Sequence, residues 1–236
     1  MRVLIASDVH ANLPALRKLI SSEWFDFGIY LGDIVDYGTR PVEAIDIVKE
    51  NFDVIMRGNH DFAAATGIDC QCSAENHDLS VYSRESLTNR LLDEGDREFL
   101  RKLPVEKDIE IEGVQMHASH GAPDDPVYGY LYPWDATGER LSRLSGGNGS
   151  QVFLMGHTHY PMYTQFKGKL YVNPGSAGQP RDHSSLPSYV IWDTGNNEIT
   201  FKRYSYEPES LKREIISEYS DKKMAERLLR LFRIAD

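Results

Sequence analysis

The sequence predicts an α/β (α+β) fold in which a helix-covered parallel sheet from the first half packs against a hairpin-rich second sheet from the second half. Three observations carry that expectation. Short apolar runs alternate with helical spacing as far as residue 56, which is the pattern of βαβ units. From residue 109 onward, short strand patterns follow one another across turn residues, which favours hairpins and a second packed layer. The chain of 236 residues suffices for one large domain with a sizeable core. We read 1–236 as that domain, ending in a helix at about 208–232.

Each element has its own warrant. Val3 to Ala6 is apolar throughout and reads as a buried strand. Leu13, Leu16, Leu19 and Ile20 recur at helical spacing, and Pro14 sits where a first turn tolerates it. A strand at Phe27–Leu31, a helix at Pro41–Lys49 and a strand at Val54–Met56 follow. Residues 62–103 read as loop and helix, with helices at Val81–Leu92 and Arg97–Leu103. Later strands are expected at 109–111, 114–118, 152–155, 162–166, 170–172, 189–192 and 199–204. The turns Glu112-Gly113, Lys167-Gly168 and Gly195-Asn196-Asn197 separate them. The terminal helix carries an apolar stripe that includes Leu211, Ile215, Tyr219, Leu228 and Phe232. Intramolecular packing accounts for such a stripe, and a homodimer contact is the alternative.

Composition narrows the function classes. A net charge of −10 argues against a broad nucleic-acid footprint, which needs clustered Lys and Arg. No apolar stretch approaches the ~20 residues of a membrane span, and the N-terminal apolar run is too short for a secretory signal. A cytoplasmic location without membrane association is therefore expected. Cys70 and Cys72 are one residue apart, a spacing that disfavours a disulfide. They read as two reduced thiols or as an accessory metal or redox site.

Five of the eight histidines stand at or just after predicted strand ends, beside Asp, Asn or Gly. Asp8-Val9-His10, Gly32-Asp33-Ile34-Val35-Asp36, Gly58-Asn59-His60-Asp61, Ser119-His120-Gly121 and Gly156-His157-Thr158-His159 each follow a strand. Ligands of open α/β sheets gather outside the carboxyl ends of the strands. Mixed Asp, Asn and His donors suit borderline divalent ions. Each motif alone is weak, because Asp33 or Asn59 equally well caps a helix and a single histidine is commonly structural. The five together, in order, are a strong signal.

With these motifs the chain resembles the calcineurin-like metallophosphoesterase superfamily over about residues 1–204. The run Asn173-Pro174-Gly175-Ser176-Ala177-Gly178-Gln179-Pro180-Arg181 is similar to its small bacterial and archaeal branch, which holds predicted phosphodiesterases and some dinucleoside-polyphosphate hydrolases or phosphatases. The resemblance implies two packed mixed β-sheets flanked by helices and a site for two divalent ions. Manganese is the foremost candidate, with iron, zinc, nickel or cobalt as alternatives. It implies Asp8, His10 and His159 around one ion, Asn59, His120 and His157 around the other, and Asp33 bridging them. Two such ions activate water and clamp phosphate oxygens for in-line attack. His60 would protonate the leaving oxygen, and Asp36 would orient His60. His117, inside a strand, reads as a structural histidine, and His77 and His183 receive no metal role.

The substrate is less legible. Ser/Thr protein phosphatases of the superfamily carry Arg directly after the second Asp of the Gly-Asp motif, and this chain has Tyr37 there. Arg181 is a candidate phosphate anchor or a structural ion-pair partner. Tyr128, Tyr130, Tyr132 and Trp134 either stack a nucleobase or form a strand with one face in the core. The expected reaction is hydrolysis of phosphomonoesters, phosphodiesters or nucleotide anhydrides on a small phosphoester or nucleotide. A protein-binding scaffold, the role of a retromer subunit with this fold, and a Ser/Thr protein phosphatase are the alternatives. A nuclease is disfavoured by the acidic charge.

Overall fold

Side chains along β1 (Arg2–Ala6) point alternately into two apolar clusters, as the period of two in a strand requires. Val3 and Ile5 join Ile29, Leu31, Met116, Leu154 and Val172 between the two sheets. Leu4 and Ala6 face the opposite way, toward Leu16, Leu19, Ile45 and Val48 on helices α1 (Leu13–Ser22) and α2 (Pro41–Asn51). A third cluster backs the second sheet, where Phe153, Met155 and Tyr171 meet Leu141 and Leu144. The layers thus run helix, sheet, sheet, helix. This computed structural model describes residues 1–235.

Among the described residues, ten strands form two mixed five-stranded sheets. Beyond β1 they are β2 (Phe27–Tyr30), β3 (Val54–Ile55), β4 (Glu106–Ile111), β5 (Val114–Ser119), β6 (Val152–Leu154), β7 (Pro161–Phe166), β8 (Lys169–Pro174), β9 (Ser188–Asp193) and β10 (Glu198–Arg203). The first sheet has the order β10-β9-β1-β2-β3 and the second β4-β5-β6-β8-β7. β1 pairs with β2 in parallel, Ile5 opposite Ile29, and with β9 antiparallel, Ile5 opposite Val190. Here the structure corrects the expected division of the chain. The last two strands return to the first sheet rather than extending the second. Their return covers the edge of β1 that β2 leaves open, which would otherwise present unpaired backbone groups.

The helices also depart from the sequence reading. The single helix expected at 208–232 is two, α8 (Glu209–Glu218) and α9 (Lys222–Leu231). Tyr219 leaves helical backbone, and the Asp221 carboxylate accepts from the N–H groups of Lys223 and Met224. That cap starts a new helix with no Pro or Gly to announce the break. The helix expected at Val81–Leu92 begins earlier, as α4 (His77–Ser83), passes through a π-helical turn at Arg84–Thr88 and ends as α5 (Asn89–Leu91). Three further helices are α3 (Asn59–Thr66), α6 (Glu94–Lys102) and α7 (Gly138–Leu144). Residues 127–134 form a loop and a 3-10 turn (Pro133–Asp135), not a strand. Among the described residues, no helix is long and apolar enough to cross a membrane.

Candidate metal centre

The loops that follow β1, β2, β3, β5 and β6 converge on one rim, and each delivers part of a polar cluster. Asp8, His10, Asp33, Asp36, His157 and His159 all have positive φ, between 49° and 69°. Left-handed backbone costs an L-residue about 1 kcal/mol or more, so this concentration marks loops bent to aim side chains inward. Two of the glycines show how closely these loops approach one another. A Cβ on Gly58 would meet Asp33 Oδ1 at 2.0 Å, and one on Gly156 would meet Ser7 Oγ at 2.1 Å.

Buried carboxylates brace these loops. Asp61 accepts from the N–H groups of Asp33, Ile34, Val35 and Gly58 at 2.8–3.3 Å, locking the turn after β2 to the start of α3. Burial, then the neighbouring Asp33 charge, push the Asp61 carboxyl up to about 6. The Asn173–Arg181 run braces the other side. Asn173 Nδ2 donates to Gly156 O, and Ser176 Oγ donates to Asp8 O.

Two donor sets lie within this frame, and Asp33 belongs to the space between them. Ligand atoms of Asp8, His10 and His159 lie within 4.8 Å of one another, as do those of Asp33, His120 and His157. Asp33 Oδ2 is 3.3 Å from His120 Nε2 and 3.7 Å from His10 Nε2. Asn59 Oδ1 approaches His120 Nε2 at 3.1 Å, while its Nδ2 donates to Cys70 O at 2.7 Å. That second bond fixes which amide atom faces the cluster.

Backbone carbonyls set three imidazole tautomers. His10, His120 and His159 each donate Nδ1–H, to Val35 O, Leu31 O and Gln179 O. Their Nε2 lone pairs are thereby turned inward, an arrangement typical of metal-binding histidines. His10 Nε2 and His159 Nε2 then stand 3.3 Å apart with no proton left to share. Asp8 Oδ1, buried, has no hydrogen-bond partner among the described residues. Facing lone pairs and an orphaned carboxylate oxygen fit a bound cation.

The electrostatics agree. Burial, then the Asp33 charge, dominate at His10, and burial holds its imidazole down at about 3. Burial likewise keeps His157 and His159 well below the usual range. Burial would also lower His120, but the Asp33 and Asp8 carboxylates outweigh it and lift His120 to about 9. A site with carboxylates and no cation recruits a proton in this way.

His60 stands at the edge of the same cluster. Its Nδ1–H donates to Asp36 Oδ2 at 2.9 Å, and its Nε2 lies 4.0 Å from Asp33 Oδ2. Asp36 Oδ2 also accepts from Nε and Nη2 of the buried Arg84 at 2.9 and 2.7 Å. Ser80 Oγ links Arg84 Nη2 at 2.8 Å and His60 Nδ1 at 3.2 Å. Arg84 and Ser80 were not expected from the sequence. The π-helical turn that begins at Arg84 is a feature often found at functional sites, but the sequence does not announce it.

Of the three residues expected to contact substrate, two face the cluster. Arg181 donates to Gln179 Oε1, its buried Nε has no partner among the described residues, and its charge helps depress His10 and His159. Tyr130 packs its ring 4.0 Å from that of His157. From there a ladder of near-parallel rings leads outward through Tyr132 to Trp134, which is 64% exposed. Tyr132, Trp134 and Arg181 border an open cleft of about 410 Å³. Tyr128 takes no part in the ladder, and its N–H donates to Asp125. Tyr37 is fully buried, edge-on to His10 at 4.9 Å. His117 pairs with Asp108 at 2.8 Å, His77 pairs with Asp69 at the surface, and His183 is exposed. None of these three joins the cluster.

Comparison with known proteins adds an independent finding. The family model of the calcineurin-like phosphoesterase superfamily domain matches residues 1–197. An uncharacterised protein of Methanocaldococcus jannaschii is 26% identical over 258 residues, 96% of each chain. A metallophosphoesterase from Sphaerobacter thermophilus superposes with a TM-score of 0.80 at 28% identity, covering 98% of this chain and 99% of its own. A hypothetical protein from Pyrococcus horikoshii does so at 0.79 with 19% identity, covering 96% and 97%, a likeness of fold.

Proposed function

Because the chain belongs to the calcineurin-like phosphoesterase superfamily, we propose that it hydrolyses phosphomonoesters, phosphodiesters or nucleotide anhydrides with the help of two divalent ions, manganese foremost. Asp8, His10 and His159 would hold one ion, Asn59, His120 and His157 the other, with Asp33 shared. The observation that carries this reading is the pair of buried donor sets on either side of Asp33, with the His60–Asp36 pair beside them. When bound, such ions acidify water and neutralise charge on the phosphoryl oxygens.

The remaining roles fall to the chain itself. His60 gives its Nε2 proton to the leaving oxygen. Asp36 accepts from Nδ1–H and fixes the ring, and Arg84 keeps Asp36 ionised: burial opposes that charge, and the guanidinium with His60 outweighs it. The Arg181 guanidinium binds a phosphate oxygen, and Tyr130 covers the His157 ring. Tyr37 offers no cation where the protein phosphatases have one, which supports a small phosphoester or nucleotide substrate. The intact His60–Asp36 pair favours catalysis over a scaffold role.

The test is a panel assay on metal-stripped protein with manganese restored. The substrates are bis(p-nitrophenyl) phosphate, p-nitrophenyl phosphate, dinucleoside polyphosphates and phosphopeptides. Turnover of at least one ester should return with metal, and His60→Ala should lower kcat by about 10²-fold or more. Asp33→Asn should abolish the metal response. No turnover across the panel would overturn the proposal.

A further inference from the structure

Beside the centre lies a second cluster of donors with a different chemistry. Cys70 and Cys72 are free thiols on the loop between α3 and α4. Gln71 between them has φ 48°, and this turn brings the two Sγ atoms to 3.0 Å. A ring nitrogen of His60 and both sulfurs all lie within 4.8 Å of one another. Cys70 Sγ also lies 3.3 Å from Ser80 Oγ, the hydroxyl that contacts His60.

We propose that His60, Cys70 and Cys72 form a third, regulatory site for a thiophilic ion of the zinc(II) class, distinct from the two Asp/Asn/His sets. Two sulfurs and one imidazole are a soft donor set, whereas the neighbouring sets contain only oxygen and nitrogen. Ligand softness therefore separates the two kinds of site. Zinc–sulfur and zinc–nitrogen bonds of about 2.3 and 2.0 Å place tetrahedral ligand atoms roughly 3.5–3.8 Å apart. The sulfurs need to part by under about 1 Å to reach that spacing. Cys72 is half-buried, which gives an ion a way in.

Occupation has a consequence for His60 that rests on the proposed function. Bound through Nδ1, the ring loses its bond to Asp36. Bound through Nε2, it loses the proton it would donate. Either way the ion silences the general acid while the two other sets stay filled. Cys70 O also holds Asn59, so strain in this loop reaches the neighbouring set.

Cobalt(II) is the probe, because a cobalt–thiolate pair gives a near-ultraviolet charge-transfer band that oxygen and nitrogen ligands do not. Metal-stripped protein, loaded with excess manganese under anaerobic reducing conditions, is titrated with cobalt. The expected result is a thiolate band that saturates at one ion per chain and disappears in Cys72→Ser. Zinc should then inhibit phosphoester turnover of the manganese-loaded protein, with Cys72→Ser at least ten-fold less sensitive and unchanged in turnover without zinc. Absence of the band in the natural chain, or equal zinc sensitivity in Cys72→Ser, would overturn the proposal. A band in a protein that turns over no ester would uphold the third site and count against the phosphoesterase reading instead.

Discussion

A histidine that donates a proton needs both an orientation and an acid form that survives at working pH, and His60 draws both from its neighbours. Burial works against the imidazolium, while Asp33 and Asp36 outweigh burial and raise its pKa. The protonated form is therefore present below the ordinary range and is lost only as pH rises through the raised folded value. The alkaline limb of the kcat profile should report the loss of that proton. Asp36→Asn removes one of the raising charges, so the limb should move to lower pH and kcat should drop. A pH–rate profile reads this directly, and a limb that stays in place would take His60 out of the acid role. The residues of the donor cluster were legible in the sequence because each follows a strand end in a short motif. Arg84 was not, since it reaches Asp36 across 48 residues of chain from a segment that reads only as helix. Asp61 was visible in its motif, but nothing in a sequence separates a carboxylate that binds four backbone N–H groups from one in solvent.

At the scale of elements, the C-terminal helices act as a brace for the turn that carries Asp36. Leu211, Ile215, Leu228, Leu229 and Phe232 pack with Tyr37, Leu79 and Leu87. Tyr219 Oη donates to Tyr37 O and Gly38 O at 3.0 and 3.2 Å. Both Asp36 and Tyr37 have positive φ, so an outside support for this turn has a clear physical purpose. Leu228→Ala should lower the unfolding free energy by about 2–5 kcal/mol, measured by urea denaturation. Tyr219→Phe should lower kcat more than it changes KM. If the apolar stripe served mainly as a dimer surface, Leu228→Ala would instead leave stability intact and change the mass in solution. The stripe was legible from its spacing. The break at Tyr219 was not, because the Asp221 cap that starts α9 has the same residue type as many exposed acids within helices.

At the scale of the whole molecule, the sandwich works by bringing five loops from two sheets to one rim. Every strand was foreseeable from apolar runs and turns, but the assignment of strands to sheets was not. β9 joins the first sheet by pairing with β1 and brings β10 with it, a contact across nearly the whole chain that no local pattern encodes. The same long-range closure places the Asn173–Arg181 run over the loop after β1, and so positions Arg181. Cations filling the space among the buried donors would make this convergence a working centre. The most direct measurement is anomalous diffraction from a crystal soaked in manganese. Two peaks are predicted per chain, one among Asp8, His10 and His159 and one among Asn59, His120 and His157, with Asp33 touching both. A fully soaked crystal with no anomalous density between those side chains would contradict it.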